Sequence, residues 1–243
     1  FIEKLPLLNK GQKFILYFQN QVPQDSIFDD NQFLCKVIPG PNFLKRRRIL
    51  CEQILLPIQL IKDSVDILFC PWYTAPLLNF KAKIILGAWD ISYITHPKHY
   101  RLIHRFSLGF IGRLSLIYCD KVITCSRYDA DQIRFYLKNR NKNKNILTLN
   151  FPAEKKFAKE IKAKDVNKVL NAIGIKKPYI LSLGVIYNRR NIPALIEAVE
   201  KLNIENLSLL IVGKNETYPK VSLSKLLQPL AKKGRIKYIK YLD

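Results

Sequence analysis

The stretch "YILSLGVIYNRRNIPALIEAVEKLNIENLSLLIVG", Tyr179 to Gly213, decides the fold. Its opening residues, Tyr179 to Leu183, are apolar enough for a strand covered on both faces. Gly184 ends that run. After a polar turn, Ile192, Leu195, Ile196, Val199 and Leu202 recur at helical spacing, with Pro193 in the first turn. Leu207 to Val212 then reads as a second strand, again closed by a glycine, Gly213. Both strands open onto loops at their carboxyl ends, where open α/β sheets bind ligands. Arg189 and Arg190 stand in the first of these loops, just ahead of the helix.

The same alternation extends upstream. "KFILYF" (Lys13 to Phe18), "QFLCKVI" (Gln32 to Ile38), "DILFC" (Asp66 to Cys70), "KIILGA" (Lys83 to Ala88), "KVITCS" (Lys121 to Ser126) and "ILTLN" (Ile146 to Asn150) read as buried strands. Arg46 to Asp63 and Tyr100 to Tyr118 carry apolar stripes at helical spacing with basic residues between, and Pro57 should kink or divide the first. The polar run Asn139 to Asn145 is a surface loop, and "DVNKVLNAIG" (Asp165 to Gly174) is a short helix stopped by its glycine. Alternating strands and helices imply an α/β protein with mainly parallel sheets. A second α/β unit starts after the connection "FPAEKKF" (Phe151 to Phe157).

Composition bounds the function classes. At 243 residues and 48% apolar, the chain can bury a substantial core. No apolar run approaches the roughly 18–20 residues that cross a bilayer, and the amino end lacks a signal pattern. The five cysteines, Cys35, Cys51, Cys70, Cys119 and Cys125, lie mostly in apolar runs without metal-site spacing, which reads as reduced core thiols in a cytoplasmic protein. The formal charge of +22 attracts anionic partners: nucleotide phosphates, an acidic membrane face or nucleic acid. For nucleic acid there is no RNP-like aromatic motif, helix-turn-helix signature or zinc-finger spacing. The run "KRRR" (Lys45 to Arg48) with the apolar stripe behind it suits either a solvated face or a helix laid on an anionic membrane.

Three groups of residues carry candidate chemistry, each with a plain structural reading beside it. Arg189 and Arg190 are either solvated charges or paired guanidinium forks for two phosphates, assisted by the N–H groups and dipole of a helix start. Such a pair would stabilise a leaving diphosphate, doing the electrostatic work of a metal ion. "GAWDISYITHPKHY" (Gly87 to Tyr100) gathers Trp89, Asp90, His96 and His99 past a strand; otherwise Asp90 caps a turn, Trp89 packs and the histidines are exposed. Two histidines beside a proline lack the further ligands of a zinc site. "CPWYTAPL" (Cys70 to Leu77) presents Trp72 and Tyr73 as a sugar-stacking platform or as packing. Ser126 reads as a helix N-cap rather than a nucleophile, and G-x-S-x-G, P-loop and G-x-G-x-x-G patterns are absent.

Taken in order, "DILFCPWYTAPL", "KIILGAWDISYITHP", "CDKVITCSRYDADQI", "ILTLNFPAEKKF" and the Tyr179–Gly213 stretch resemble glycosyltransferase family 4, the retaining nucleotide-sugar enzymes of GT-B architecture. The resemblance covers the chain from about Arg46 onward. It implies two Rossmann-like domains, residues 1–152 on the acceptor side and 153–243 on the nucleotide-sugar side, with a cleft between them. It puts Gly184, Arg189 and Arg190 at the donor diphosphate and Gly213 and Lys214 at the nucleotide. Asp90 is the catalytic candidate, and Trp72, Trp89, His96 and His99 lie on the acceptor side. Trp89 stands where many members have the active-site histidine, a departure that His96 or His99 would have to make good. The family's Gly-rich first loop is expected before Phe1 and its paired glutamates beyond Asp243, so the chain reads as a fragment with its second domain incomplete. The activity implied is transfer of a hexose-type sugar, with retention, from a nucleoside-diphosphate sugar to a glycan or lipid-linked hydroxyl in envelope polysaccharide, lipopolysaccharide or glycolipid synthesis. No cofactor or metal is expected. Residence is cytoplasmic, peripheral on the inner membrane face. The rival readings are a basic nucleic-acid-binding module and an inactive remnant of such an enzyme.

Overall fold

Every strand pairing among the described residues is parallel, as alternation of strands and helices requires. The computed structural model describes residues 11–29, 33–45, 47–78, 81–141, 143–151, 153, 155–202, 204 and 206–241. Gln32, Arg46, Pro152, Glu154 and the last two residues, which belong to segments read from the sequence, lie outside these, as do the side chains of Lys45, Lys155 and Lys156. The chain divides into two compact units, Phe1–Ile94 with Ile103–Asn150, and Thr95–Leu102 with Phe151–Asp243.

In the first unit β1 (Phe14–Phe18) pairs with β2 (Phe33–Val37) as a two-stranded sheet. After α1 (Asn42–Lys45) a helical rod runs through α2 (Arg48–Leu50), a π-helical stretch (Cys51–Leu55) and α3 (Leu56–Lys62). Pro57 is the cause of the interruption: its ring needs room at the carbonyl four residues back, Gln53, and the wider π winding gives it. A four-stranded sheet follows in the order β3 (Ile67–Cys70), β4 (Lys83–Gly87), β5 (Lys121–Thr124), β6 (Asn145–Thr148). Along the chain between β4 and β5 come α4 (Ser92–Thr95), a 3-10 turn (Pro97–His99) that belongs to the second unit, α5 (Leu102–Phe106), a second π stretch (Ser107–Gly112) and α6 (Arg113–Tyr118). The core gathers Leu68, Ile84, Leu86 and Val122 from the strands with Leu116, Ile133 and Leu137, the last two from α7 (Arg127–Leu137). Ser126 caps α7 by accepting from the Asp129 N–H at 3.0 Å.

The second unit is built around its middle strand. Its elements are α8 (Ala163–Ile173), β7 (Tyr179–Leu183), α9 (Ile192–Lys201), β8 (Ser208–Val212), α10 (Leu223–Lys232) and β9 (Ile236–Ile239), with sheet order β7-β8-β9. Successive β8 residues point to opposite faces. Leu209 and Ile211 meet Ile196 and Val199 of α9 and Leu227 and Leu230 of α10, while Leu210 and Val212 meet Leu170 of α8. Burial on both faces is why this strand reads as an unbroken apolar run. Each such Leu, Ile or Val contributes roughly 1.5–3 kcal/mol. Gly174 ends α8 in the left-handed conformation, φ +70°, as its place after the last apolar residue predicts. The sequence reading assigns no element to α10, which carries Pro229 inside it.

All five cysteines are free thiols, with Cys51, Cys70 and Cys119 buried. Burial pushes the Cys70 thiol up to about 12 and that of Cys119 to about 11, so both stay protonated and act as core apolar groups. Among the described residues no helix is long and apolar enough to cross a membrane.

Candidate functional site

The carboxyl ends of β7 and β8 are drawn together by two glycines. Gly213 has φ +152°, and a Cβ built on it would lie 2.0 Å from the Gly184 carbonyl oxygen, so no side chain fits there without parting the strands. Gly184 has φ +108° and donates its N–H to Val212 O at 2.8 Å. Beyond the strands the two loops continue to pair: Ile186 N donates to Lys214 O at 2.9 Å and Glu216 N to Ile186 O at 2.9 Å. Tyr238 of β9 closes the other side by donating its hydroxyl to Gly213 O at 3.0 Å.

Arg190 folds back over this glycine pair. Its guanidinium would touch a Cβ on Gly184 at 3.0 Å, and Nη1 donates to Leu183 O at 2.9 Å. A glycine at 184 therefore serves two ends, the positive φ and the close approach of a cation to the strand end. Arg189 takes another course, its guanidinium 5.4 Å from the centre of the Tyr187 ring. Both arginines lie in a 3-10 turn, Asn188–Arg190, that runs into α9 through Asn191 in the left-handed conformation. Asn188 anchors that turn: its Oδ1 accepts from Tyr218 N at 2.6 Å and its Nδ2 donates to Pro219 O at 3.4 Å. Lys214 pairs with Glu216, and the Lys214 hydrogen bond and charge hold the Glu216 carboxyl below its usual range. Thus Gly184, Arg190 and Gly213 converge, Arg189 is adjacent, and Lys214 is engaged by a carboxylate.

A second cluster stands at the carboxyl ends of β3 and β4, in the first unit. The chain leaves β3 through a three-residue turn in which Thr74 N donates to Trp72 O at 2.6 Å across Tyr73, whose φ is +56°. An aromatic residue in that region stores about 1–3 kcal/mol, held by its surroundings. Tyr73 is fixed by its N–H on Gly87 O at 3.0 Å, by edge contacts to Trp72 and Tyr93, and by its hydroxyl donating to Asp90 at 3.3 Å. Asp90 Oδ1 also accepts from Ser92 N at 2.8 Å and Ser92 Oγ at 2.5 Å, which caps the start of α4. Trp89 lies over Gly87, and its indole N–H donates to Pro71 O at 2.8 Å. Trp72 is the exposed ring of the group.

The loop bearing these rings is clamped from below by the π-helical stretch. Gln53 donates to Ala75 O at 2.8 Å and accepts from Leu77 N at 3.0 Å; Glu52 accepts from Thr74 Oγ1 at 2.9 Å. Burial raises the Glu52 carboxyl above its ordinary range against the opposing pull of Thr74, Arg48 and Gln53. His96 and His99 are exposed and stack on each other at 5.6 Å, with His96 Nδ1 2.8 Å from Thr95 Oγ1. Glu52, Gln53 and Asn188 escaped the sequence reading because side chains that bond to distant backbone leave no local signal. Tyr73 was visible as a ring between prolines, yet its bond to Asp90 depends on the folded turn.

No protein-family model matches the sequence, and no curated protein matches it. Solved structures do match its fold. A sucrose-phosphate synthase from Thermosynechococcus elongatus superposes with a TM-score of 0.64 at 15% identity, over 99% of this chain and 63% of its own. HepE of Anabaena in complex with UDP gives 0.58 at 12% identity over 94% and 61%. A glycosyltransferase from Rickettsia africae gives 0.57 at 14% identity over 100% and 63%. The α/β fold with mainly parallel sheets is that of the GT-B glycosyltransferases. The chain spans about three fifths of the length of the structures it matches.

Proposed function

We propose that this chain is part of a retaining glycosyltransferase of family 4 that moves a hexose-type sugar from a nucleoside-diphosphate donor to a hydroxyl of a glycan or lipid-linked acceptor. The observation that carries the reading is the Arg190 guanidinium seated over Gly184 beside Gly213, at the start of α9. A diphosphate there would meet a fixed guanidinium and the helix N–H groups, both aimed where charge grows as the sugar departs. In this reading Arg189 swings from Tyr187 to the second phosphate, and the departing phosphate accepts the acceptor's proton on the face it leaves. Asp90, held by Tyr73 and Ser92, serves the acceptor side with Trp72. Two features support a longer working polypeptide. Leu181 and Leu183 on edge strand β7 are 50% and 63% exposed, and β1–β2 stand as a sheet separate from β3–β6. We place the enzyme in the cytoplasm, attached to an anionic membrane face through the rod from α2 to α3, whose outer face presents Ile54, Ile58 and Ile61.

UDP is the test ligand, because the HepE structures contain it. Calorimetric titration should show UDP binding to this chain, weakened about ten- to hundredfold by Arg190→Ala, the loss of one or two charge-assisted bonds. Unchanged affinity in that variant removes the diphosphate role. Salt-sensitive retention on DNA that UDP leaves undiminished would favour the nucleic-acid reading instead.

A further inference from the structure

The four-stranded sheet of the first unit ends in β6, which among the described residues pairs with β5 alone. Leu149 donates its N–H to Thr124 O at 2.8 Å, so by the alternation of a parallel pair Leu147 also turns its backbone groups toward β5. Ile146 and Thr148 then aim theirs at the open side. Such a row of donors and acceptors is a template for another strand. Leu147 and Leu149 lie on one face of this edge, 42% and 41% exposed, and α7 runs along the other.

Beside the edge, on the α7 side, is a cavity of about 310 Å³. Phe135 and Leu137 of α7 and Ile146 of β6 form its apolar wall; Arg134, Lys138 and Lys144 supply its charge, and no acidic residue lines it. A cavity of about 150 Å³ suffices for benzene, so this one has room for a large apolar side chain. Phe135 is 78% exposed, an apolar ring left at the mouth. Lys144 is fixed in place by donating to Ile117 O at 2.8 Å and to Cys119 O. Arg134 shares its charge with Asp131 at 2.8 Å, while Lys138 stands exposed.

An extended, acidic backbone answers every one of these features. Its C=O and N–H groups pair with both kinds of group at Ile146 and Thr148, its alternate side chains fall into the cavity and onto Leu147, and its carboxylates meet the cations. Phosphates would satisfy the donors and leave the edge carbonyls without partners, so nucleic acid fits poorly. A second copy of the chain sets one cationic rim against another, at +22 each.

We propose that an acidic, extended segment of a partner protein adds to β6 as a fifth strand of this sheet, seating an apolar side chain in the cavity between β6 and α7. The cavity sits toward the amino end of β6, away from the carboxyl-end cluster of Tyr73 and Asp90, and uses none of the residues assigned to glycosyl transfer. The probe is the synthetic peptide EDVFVDE, blocked at both ends and titrated into the full chain at physiological salt. Calorimetry should show a single site, and the Ile146 and Thr148 amides should gain at least tenfold protection from hydrogen exchange, read by NMR. Thr148→Pro removes an outward donor but no bond to β5, and should weaken binding at least tenfold. Phe135→Ser and Lys138→Glu, both at exposed positions, should each weaken it about three- to tenfold with an unchanged melting temperature. The lysine-for-acid peptide KKVFVKK should not bind. The proposal is overturned if the two amides stay unprotected, or if Phe135→Ser, or Thr148→Pro where it folds, binds the peptide like the parent. It is equally overturned if a thymidine oligonucleotide protects the same amides, which assigns the edge to nucleic acid, or if the parent self-associates and Thr148→Pro does not, which assigns it to a second copy.

Discussion

Gly213→Ala isolates the close approach on which the β7–β8 site depends. A Cβ at 213 lies 2.0 Å from Gly184 O and 2.6 Å from its carbonyl carbon, so the strand ends must part by about 1.4 Å to reach ordinary contact, which starts near 3.4 Å. That movement breaks or bends Gly184 N to Val212 O and Ile186 N to Lys214 O, each worth about 0.5–1.5 kcal/mol net. The left-handed-region backbone adds about 1–3 kcal/mol for a residue with a side chain. The expected loss is therefore about 2–6 kcal/mol. Gly174→Ala is the matched control: its φ is +70°, yet a Cβ there meets nothing within 4 Å, so it should cost only about 1–2 kcal/mol. Urea unfolding of both variants, followed by far-UV circular dichroism, compares them directly. Should Gly213→Ala cost no more than Gly174→Ala, the steric argument for the glycine pair is wrong, whatever the ligand.

Asp63 gives a pH signature. Burial alone would raise its carboxyl, but hydrogen bonds from Lys36, Gln59 and Tyr17, with the Lys36 charge, hold it at about 2 against an ordinary 3.8. A depressed folded value means stability that is present above pH 3.8 and lost as pH falls through about 2. In Asp63→Asn that share of the acid dependence should vanish in pH-resolved melts; an unchanged profile counts against the network. Glu52 slopes the other way. Its raised folded value costs stability as pH climbs above 4.5, so Glu52→Gln should gain stability at neutral pH relative to pH 4. Asn188→Ala strips the partner from Tyr218 N and should cost about 1–3 kcal/mol, by the unpaired-donor penalty, while weakening UDP binding through the loosened turn. Equal UDP affinity in that variant would separate the turn from the site.

Much of the fold follows from local chemistry. The doubly buried run of β8, the helical spacing of α9 with Pro193 in its first turn, and the Gly174 stop of α8 are short-range patterns, and each produced the element expected. Ser126 as the cap of α7 belongs with them. Where the readings fell short, a local rule met a distant constraint. Pro229 lies inside α10, yet Leu223, Leu227 and Leu230 packed beneath β8 and β9 outweigh one lost backbone bond, so the helix rests on packing that local spacing does not announce. The Tyr100–Tyr118 stripe was legible as a helix, whereas its π stretch and the Phe106–Phe110 stack emerge only from the folded winding.

By itself the sequence determined which segments become strands and helices, that the sheets are parallel, and that glycines followed by an arginine pair stand at a strand's carboxyl end. Those features depend on residue type and spacing, which neighbours along the chain settle among themselves. Tertiary structure alone decided that Arg190 turns back onto Gly184 while Arg189 lies on Tyr187, that Tyr73 reaches Asp90 from a strained turn, and that Asn188 grips the loop after β8. The physical reason is range: a long polar side chain chooses among partners brought near by packing, and the separation in sequence between Asn188 and Tyr218 carries no trace of that choice.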